Sequence, residues 1–178
     1  MKNITLLFLF ISVTAISQDK YLTKSGQLNF EASVDAFEEI KASNDNVTAI
    51  FNTANGQFAA LALVKGFRFK NALMEEHFNE NYAESDQYPK AVFKGALVGF
   101  SLDSLQTTYT INGTLSFHGV TKPLENVTVD ITPSKNGFNF KGAFEIATND
   151  FDIEIPKIVS SKIADSVGVV FEFELTKK

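Results

Sequence analysis

What most constrains this chain is an alternation of apolar and polar residues with a period of two. A side chain recurring at every second position lies on one face of an extended strand. The pattern is cleanest over residues 108–117. There Tyr109, Ile111, Leu115 and Phe117 share one parity, and Thr108, Thr110, Asn112, Thr114 and Ser116 share the other. Val127, Val129 and Ile131 repeat it, residues 133–137 turn the chain, and Phe138, Phe140, Phe144 and Ile146 resume it, which predicts a hairpin around Asn136-Gly137. Near the C-terminus Val167, Val169, Phe171, Phe173 and Leu175 oppose Glu172 and Glu174. Weaker alternation predicts strands over residues 27–34, 47–53, 57–69 and 91–102, with Asn55-Gly56 turning between the second and third of these. Eight strands joined by short turns, with no internal repeat or linker, specify an all-β sandwich or antiparallel barrel.

The composition says how such a fold is held together. The chain has no Cys and no Trp but 18 Phe among 178 residues. Disulfides and thiolate metal sites are therefore excluded, and a Phe-rich core must supply the stability. An apolar run over residues 4–13 follows Lys2 and precedes Ala15-Ile16-Ser17, the pattern of a secretory signal peptide over residues 1–17. The mature domain is then expected over residues 18–178, exported to the periplasm or secreted. No Cys follows the expected cleavage point, so no lipid anchor is expected there. Neither that run nor any later one reaches the roughly 20 apolar residues of a membrane-spanning helix. Without its signal the chain keeps 15 basic and 21 acidic side chains, a charge of −6, which argues against a nucleic-acid partner. Whether it forms a homodimer is left open.

One segment departs from the alternation. Residues 71–78 begin with a capping Asn71, carry Glu75 and Glu76, and place Leu73, Met74 and Phe78 at what reads as helical spacing, so a short helix is expected. Residues 79–89 read as an ordered loop returning to the sheet. A second short helix or turn is expected over residues 35–43 and another over 156–165.

Glycines recur on the inward parity: Gly95 and Gly99 beside Phe93 and Leu97, Gly113 between Ile111 and Leu115, and Gly142 between Phe140 and Phe144. They mark either a hollow interior or bends where a sheet coils; the two readings are compatible. If hollow, the interior is lined by Phe67, Phe69, Phe93, Tyr109, Phe117, Phe140, Phe144, Phe171 and Phe173, a wall suited to an apolar chain. The alternative is that these rings pack on one another as a solid core. In the hollow reading, Gly113→Phe is expected to fill the cavity and leave the fold largely intact.

Chemistry beyond binding finds little support. His77 lies in a segment rich in Glu, but no second His or Cys stands at a zinc-ligand spacing, so no metal is expected. His118 opens the turn over residues 118–123 and by alternation points away from the apolar face. No nucleophile elbow and no phosphate-cradling glycine loop is present. No catalytic residue is therefore assigned, and the chain is not expected to be an enzyme. The alternatives are an enzyme acting on an apolar substrate with His118 or His77 as base, and a ligand-free structural or interaction barrel.

Two segments carry a resemblance. Residues 73–95 read LMEEHFNENYAESDQYPKAVFKG and residues 115–124 read LSFHGVTKPL; Phe67-Arg68-Phe69 precedes the first, and residues 149–156, NDFDIEIP, precede the last strand. In this order and spacing they resemble the YceI-like family over nearly all of the mature chain. The resemblance implies a lipocalin-like, antiparallel eight-stranded β-barrel with one or two short helices. It also implies export and an interior that sequesters or carries a polyisoprenoid or isoprenoid-quinone-like chain, with no other cofactor. On that reading Leu73, Met74 and Phe78 close on the cavity from the helix. Together with the inward rings and Leu97, Ile111 and Leu115, they make up the expected ligand-binding set. The turn with His118, Thr121 and Lys122 would then receive a polar head group or serve as a plain hairpin connection. Many family members have an Asp-x-x-His segment before the first long strand; residues 24–30 here contain no His, so a head group fixed by that His in relatives would differ here.

Overall fold

The computed structural model describes residues 20–34 and 37–178. The expected signal segment and the start of the mature chain lie outside the described residues, as do Asp35 and Ala36. Nine strands form: β1 (Lys20–Ser33), β2 (Lys41–Asn52), β3 (Gln57–Leu63), β4 (Arg68–Phe69), β5 (Lys90–Leu97), β6 (Thr108–Phe117), β7 (Val120–Ser134), β8 (Gly137–Ala147) and β9 (Ile163–Lys177). Eight of them run up and down in the order β1-β9-β8-β7-β6-β5-β3-β2, all antiparallel, and β1 pairs back onto β2. That last pairing closes the sheet into a barrel with no free edge along its wall. The two-residue β4 pairs with Ala42 and Ser43 at the top of β2.

The alternation dictates the wall. In β9, Val169, Phe171, Phe173 and Leu175 are buried while Val170, Glu172, Glu174 and Thr176 are exposed; in β6 and β7, Tyr109, Ile111, Leu115, Val127, Val129 and Ile131 point inward. The strands are longer than the pattern alone indicates, because their ends extend past the core and need not alternate. The exceptions are the expected strands over 57–69 and 91–102. The first breaks at a single 3₁₀ turn (Val64–Gly66), and the second ends at Leu97 before a turn at Val98 and Gly99. Gly99 thus sits in a turn with φ +67°, outside the barrel wall. Where β3 parts from β2, the buried Asn44 fills the gap. Its Nδ2 donates to the Leu63 carbonyl at 3.0 Å and its Oδ1 accepts from the Asn46 N–H at 3.0 Å.

The two ends differ. At the lower end the connections are mostly tight: residues 53–56, where Gly56 has φ +71°, and the two residues between Ser134 and Gly137. The longer lower connection, residues 98–107, folds Phe100 across Phe51 at 5.1 Å between ring centroids, and the Tyr109 hydroxyl accepts from the Gln106 N–H at 2.8 Å. At the upper end, beside the two-residue turn at His118-Gly119, longer segments lie at the opening: residues 37–40, 64–89 and 148–162. The second contains the helix α1 (Ala72–His77), capped as expected by the Asn71 side chain, which accepts from the Leu73 N–H at 2.9 Å. A π-type turn (Phe78–Tyr82) continues it. Residues 157–162 form turns rather than a helix, and residues 41–43 belong to β2. Among the described residues, no helix is long and apolar enough to cross a membrane.

Candidate ligand cavity

The barrel interior is closely packed below, around a small void, and open above. In the lower half Phe51, Phe140, Phe173, Ile131, Leu175, Val47 and Val129 are fully buried. Their rings interlock: Phe58 stacks on Phe140 at 5.4 Å and 19°, Phe171 on Phe173 at 5.3 Å and 19°, and Phe51 leans on Phe140 at 4.9 Å. The inward glycines do not leave empty space here. A Cβ at Gly26 would meet the Phe173 ring at 2.3 Å, one at Gly142 the Phe171 ring at 2.5 Å, and ones at Gly95 and Gly113 the Phe93 ring at 2.8 Å. Each of these Phe rings lies over a glycine of a neighbouring strand and takes the room a side chain would use. At Gly113 a Cβ would also meet the Lys94 carbonyl at 2.3 Å and the Gly95 Cα at 2.7 Å. The expectation that Gly113→Phe fills a cavity without disturbing the fold is therefore corrected: β5 and β6 approach too closely there for any side chain.

Above this plug lies a cavity of about 410 Å³. Its wall comes from six of the eight barrel strands: Leu28, Phe30 and Ala32 of β1, Ala62 of β3, Ala91 of β5, Leu115 and Phe117 of β6, Phe144 and Ile146 of β8, and Ile163, Val167 and Val169 of β9. The crossing segments contribute Phe67, Phe69, Met74, His77, Phe78 and Tyr82 on one side and Thr148, Phe151, Ile153, Ile155, Val159 and Lys162 on the other. Phe37, Glu38 and Ile40 complete it. Glu38, His77 and Lys162 in its lining are exposed, which places them at the mouth, while Tyr82 is half-buried and the depth is ring and aliphatic. A second void of about 60 Å³ lies beneath, walled by Phe93, Ile111, Phe140, Phe171 and Phe173 among others. The two share the walls of Leu28, Ala62, Ala91, Leu115 and Phe144, which mark a waist between them.

The expected ligand-binding residues separate accordingly. Phe67, Phe69, Met74, Phe78, Leu115, Phe117 and Phe144 line the large cavity; Phe93, Ile111, Phe140, Phe171 and Phe173 border only the small one. Leu97 and Tyr109 are buried in the lower core and line neither. Leu73 is 56% exposed on the outer side of α1. At about 100° per residue, Leu73 and Phe78 stand about 140° apart, whereas Met74, His77 and Phe78 share a face. Sequence reasoning missed the walls contributed by β1 and by residues 151–159. The alternation of Leu28, Phe30 and Ala32, and of Phe151, Ile153 and Ile155, was the available signal for them.

The helix is fixed over the opening by a small polar network. Glu75 accepts from Arg68 Nη1 at 2.9 Å and from the Phe69 N–H at 3.1 Å, tying α1 to β4. Phe78 packs among Phe30, Phe67 and Phe69 with centroids 5.2–5.9 Å apart. On the opposite rim His118 joins three segments. Its Nδ1 lies 2.8 Å from the Phe151 carbonyl, its Nε2 lies 2.9 Å from Glu84 Oε2, and its ring meets Tyr88 edge-on at 4.7 Å. Both oxygens accept when Glu84 is ionised, so both bonds then form together only when the imidazole carries both protons. With each nitrogen at hydrogen-bond distance from an oxygen of another segment and 9% of the side chain exposed, His118 holds the rim together. Neither it nor Thr121 or Lys122 is among the residues that line the cavity. Among the described residues, no group of three or more His, Asp or Glu is placed to hold a metal.

A family model described as YceI-like domain matches residues 20–175. No curated protein is similar enough to match. Among solved structures, a polyisoprenoid binding domain from Saccharophagus degradans implicated in plant cell wall breakdown is similar. It shows a TM-score of 0.75 and 16% identity over 90% of this chain and 99% of that one. BcnA of Burkholderia cenocepacia follows with a TM-score of 0.69 and 18% identity over 84% and 94% of the respective chains. The Campylobacter jejuni YCEI protein has a TM-score of 0.64 at 16% identity, covering 80% and 86%. At these identities the likeness establishes the fold.

Proposed function

The chain belongs to the YceI-like family, and we propose that it is an exported, non-catalytic binding protein whose upper chamber sequesters or carries a polyisoprenoid or isoprenoid-quinone-like chain. The observation that carries this reading is the chamber itself. It is about 410 Å³ of ring- and aliphatic-lined space, with its charged groups confined to the mouth. Such a site removes an apolar chain from water, at roughly 25 cal/mol per Å² of buried apolar surface, and leaves a polar head at the rim. The similar Saccharophagus degradans protein is a polyisoprenoid binding domain, and a ligand of that class suits this chemistry. No bond is made or broken.

Protein purified gently from a bacterial host should yield an extractable prenyl lipid by mass spectrometry. Protein that is repeatedly empty and takes up no added prenyl chain overturns the reading. Export is tested separately, by sequencing the N-terminus of the protein recovered outside the cytoplasm, which is expected to begin near Gln18.

A further inference from the structure

Below the waist the barrel has almost no room for a chain. The lower void is about 60 Å³ against about 410 Å³ above. Its floor cannot readily retreat. The Phe93, Phe171 and Phe173 rings already rest on glycines, with hypothetical Cβ atoms as close as 2.3–2.8 Å, and Phe171 is stacked on Phe173. A close-packed interior moves such rings only by breaking several contacts at once. At the waist, three bulky side chains, Leu28, Leu115 and Phe144, share the wall with the small Ala62 and Ala91. The passage is therefore narrowed by the bulky side chains and left ajar where the wall carries only a methyl group.

We propose that this waist is a length gauge: Phe144, Leu28 and Leu115 stop the tail of a bound prenyl chain, and Ala62 and Ala91 set how far its end reaches. The inference rests on the reading of the upper chamber as a prenyl-binding site and specifies its substrate class, a chain short enough to end at the waist. Longer chains gain nothing from added units, because those units stay at the mouth in water. Units that enter the chamber each remove a five-carbon apolar surface from water, and so improve affinity by about tenfold or more.

The test is displacement of N-phenylnaphthylamine fluorescence from the purified protein by geraniol, farnesol, geranylgeraniol and solanesol. Affinity is expected to climb along the series and then level off, with solanesol no tighter than the best shorter alcohol. Phe144→Ala opens the waist and should move the plateau to a longer alcohol; Ala91→Leu closes it and should move the plateau to a shorter one. Should Phe144→Ala lose its cooperative melt, the half-buried Ala91→Leu decides alone. If the alcohols bind but affinity rises through solanesol, or Ala91→Leu leaves the length profile unchanged, the gauge is wrong while prenyl binding stands. If no alcohol displaces the probe, prenyl binding itself is wrong and the gauge falls with it.

Discussion

The lower and upper halves of this barrel are built by the same eight strands, with the same inward parity and the same preference for Phe, yet one is filled and the other hollow. Below, tight turns and the Phe100 flap bring opposing walls together, and rings from one strand settle over glycines of the next. Above, the connections are long except for the two-residue His118-Gly119 turn between β6 and β7. Inward rings such as Phe69, Phe117 and Phe144 remain half-exposed because one side of each faces the cavity. The difference teaches that an inward Phe is a core residue or a binding-site residue according to what stands across from it, not according to its own position on a strand.

The sharpest way to break this comparison is to truncate one ring in each half. Phe140→Ala removes a fully buried ring that touches Phe51 and Phe58, and should cost about 3–5 kcal/mol in denaturant unfolding. Phe117→Ala, at the cavity wall, should cost about 1 kcal/mol, because much of the cavity term is already present. Equal losses would show that the upper half is packed in solution.

A smaller effect concerns the glycines. Gly113→Ala forces its Cβ against the Lys94 carbonyl, and about 1–3 kcal/mol of overpacking strain is expected. At Gly168 nothing lies within 4 Å of the added atom, so Gly168→Ala should leave the melting temperature unchanged or slightly raised. A neutral Gly113→Ala would mean that the lower strands are not in close approach.

His118 sharpens the comparison at the upper rim. His118→Asn tolerates the backbone at φ +49° but cannot reach both Glu84 and the Phe151 carbonyl. A loss of about 1–2 kcal/mol is expected, with amide exchange accelerated at residues 84–88 and 148–151 and unchanged in the lower half. Uniform acceleration would place His118 in the global core instead. The smallest effect is at the helix cap. Asn71→Ala should cost about 1 kcal/mol and fray α1 alone, read as faster exchange at Leu73.

Much of the wall is legible in the order of residues. The strand identities, the capped helix and the inward set of β6 to β9 all follow from periodicities and turn residues local in sequence, whereas the choice of a barrel over a sandwich comes from the family resemblance. Two misreadings are local as well. Leu73 fails on helical angle, and residues 98–102 fail because apolar residues at a strand end look like more strand. The waist and the plug are not legible, for they depend on residues distant in the chain coming together, such as Phe173 over Gly26, and Phe144 and Ala62 in the wall of one cavity. Nor could the turn over residues 118–123 show that His118 is committed to Glu84 and Phe151, each more than 30 residues away.

What this sequence determined by itself is which side of each strand is greasy, because hydrogen-bonded strands leave a side chain only two directions. What the tertiary structure alone decided is where that greasy side meets another ring and where it meets space. That outcome depends on how strands coil and how far apart their connections hold them, and no single strand carries either distance.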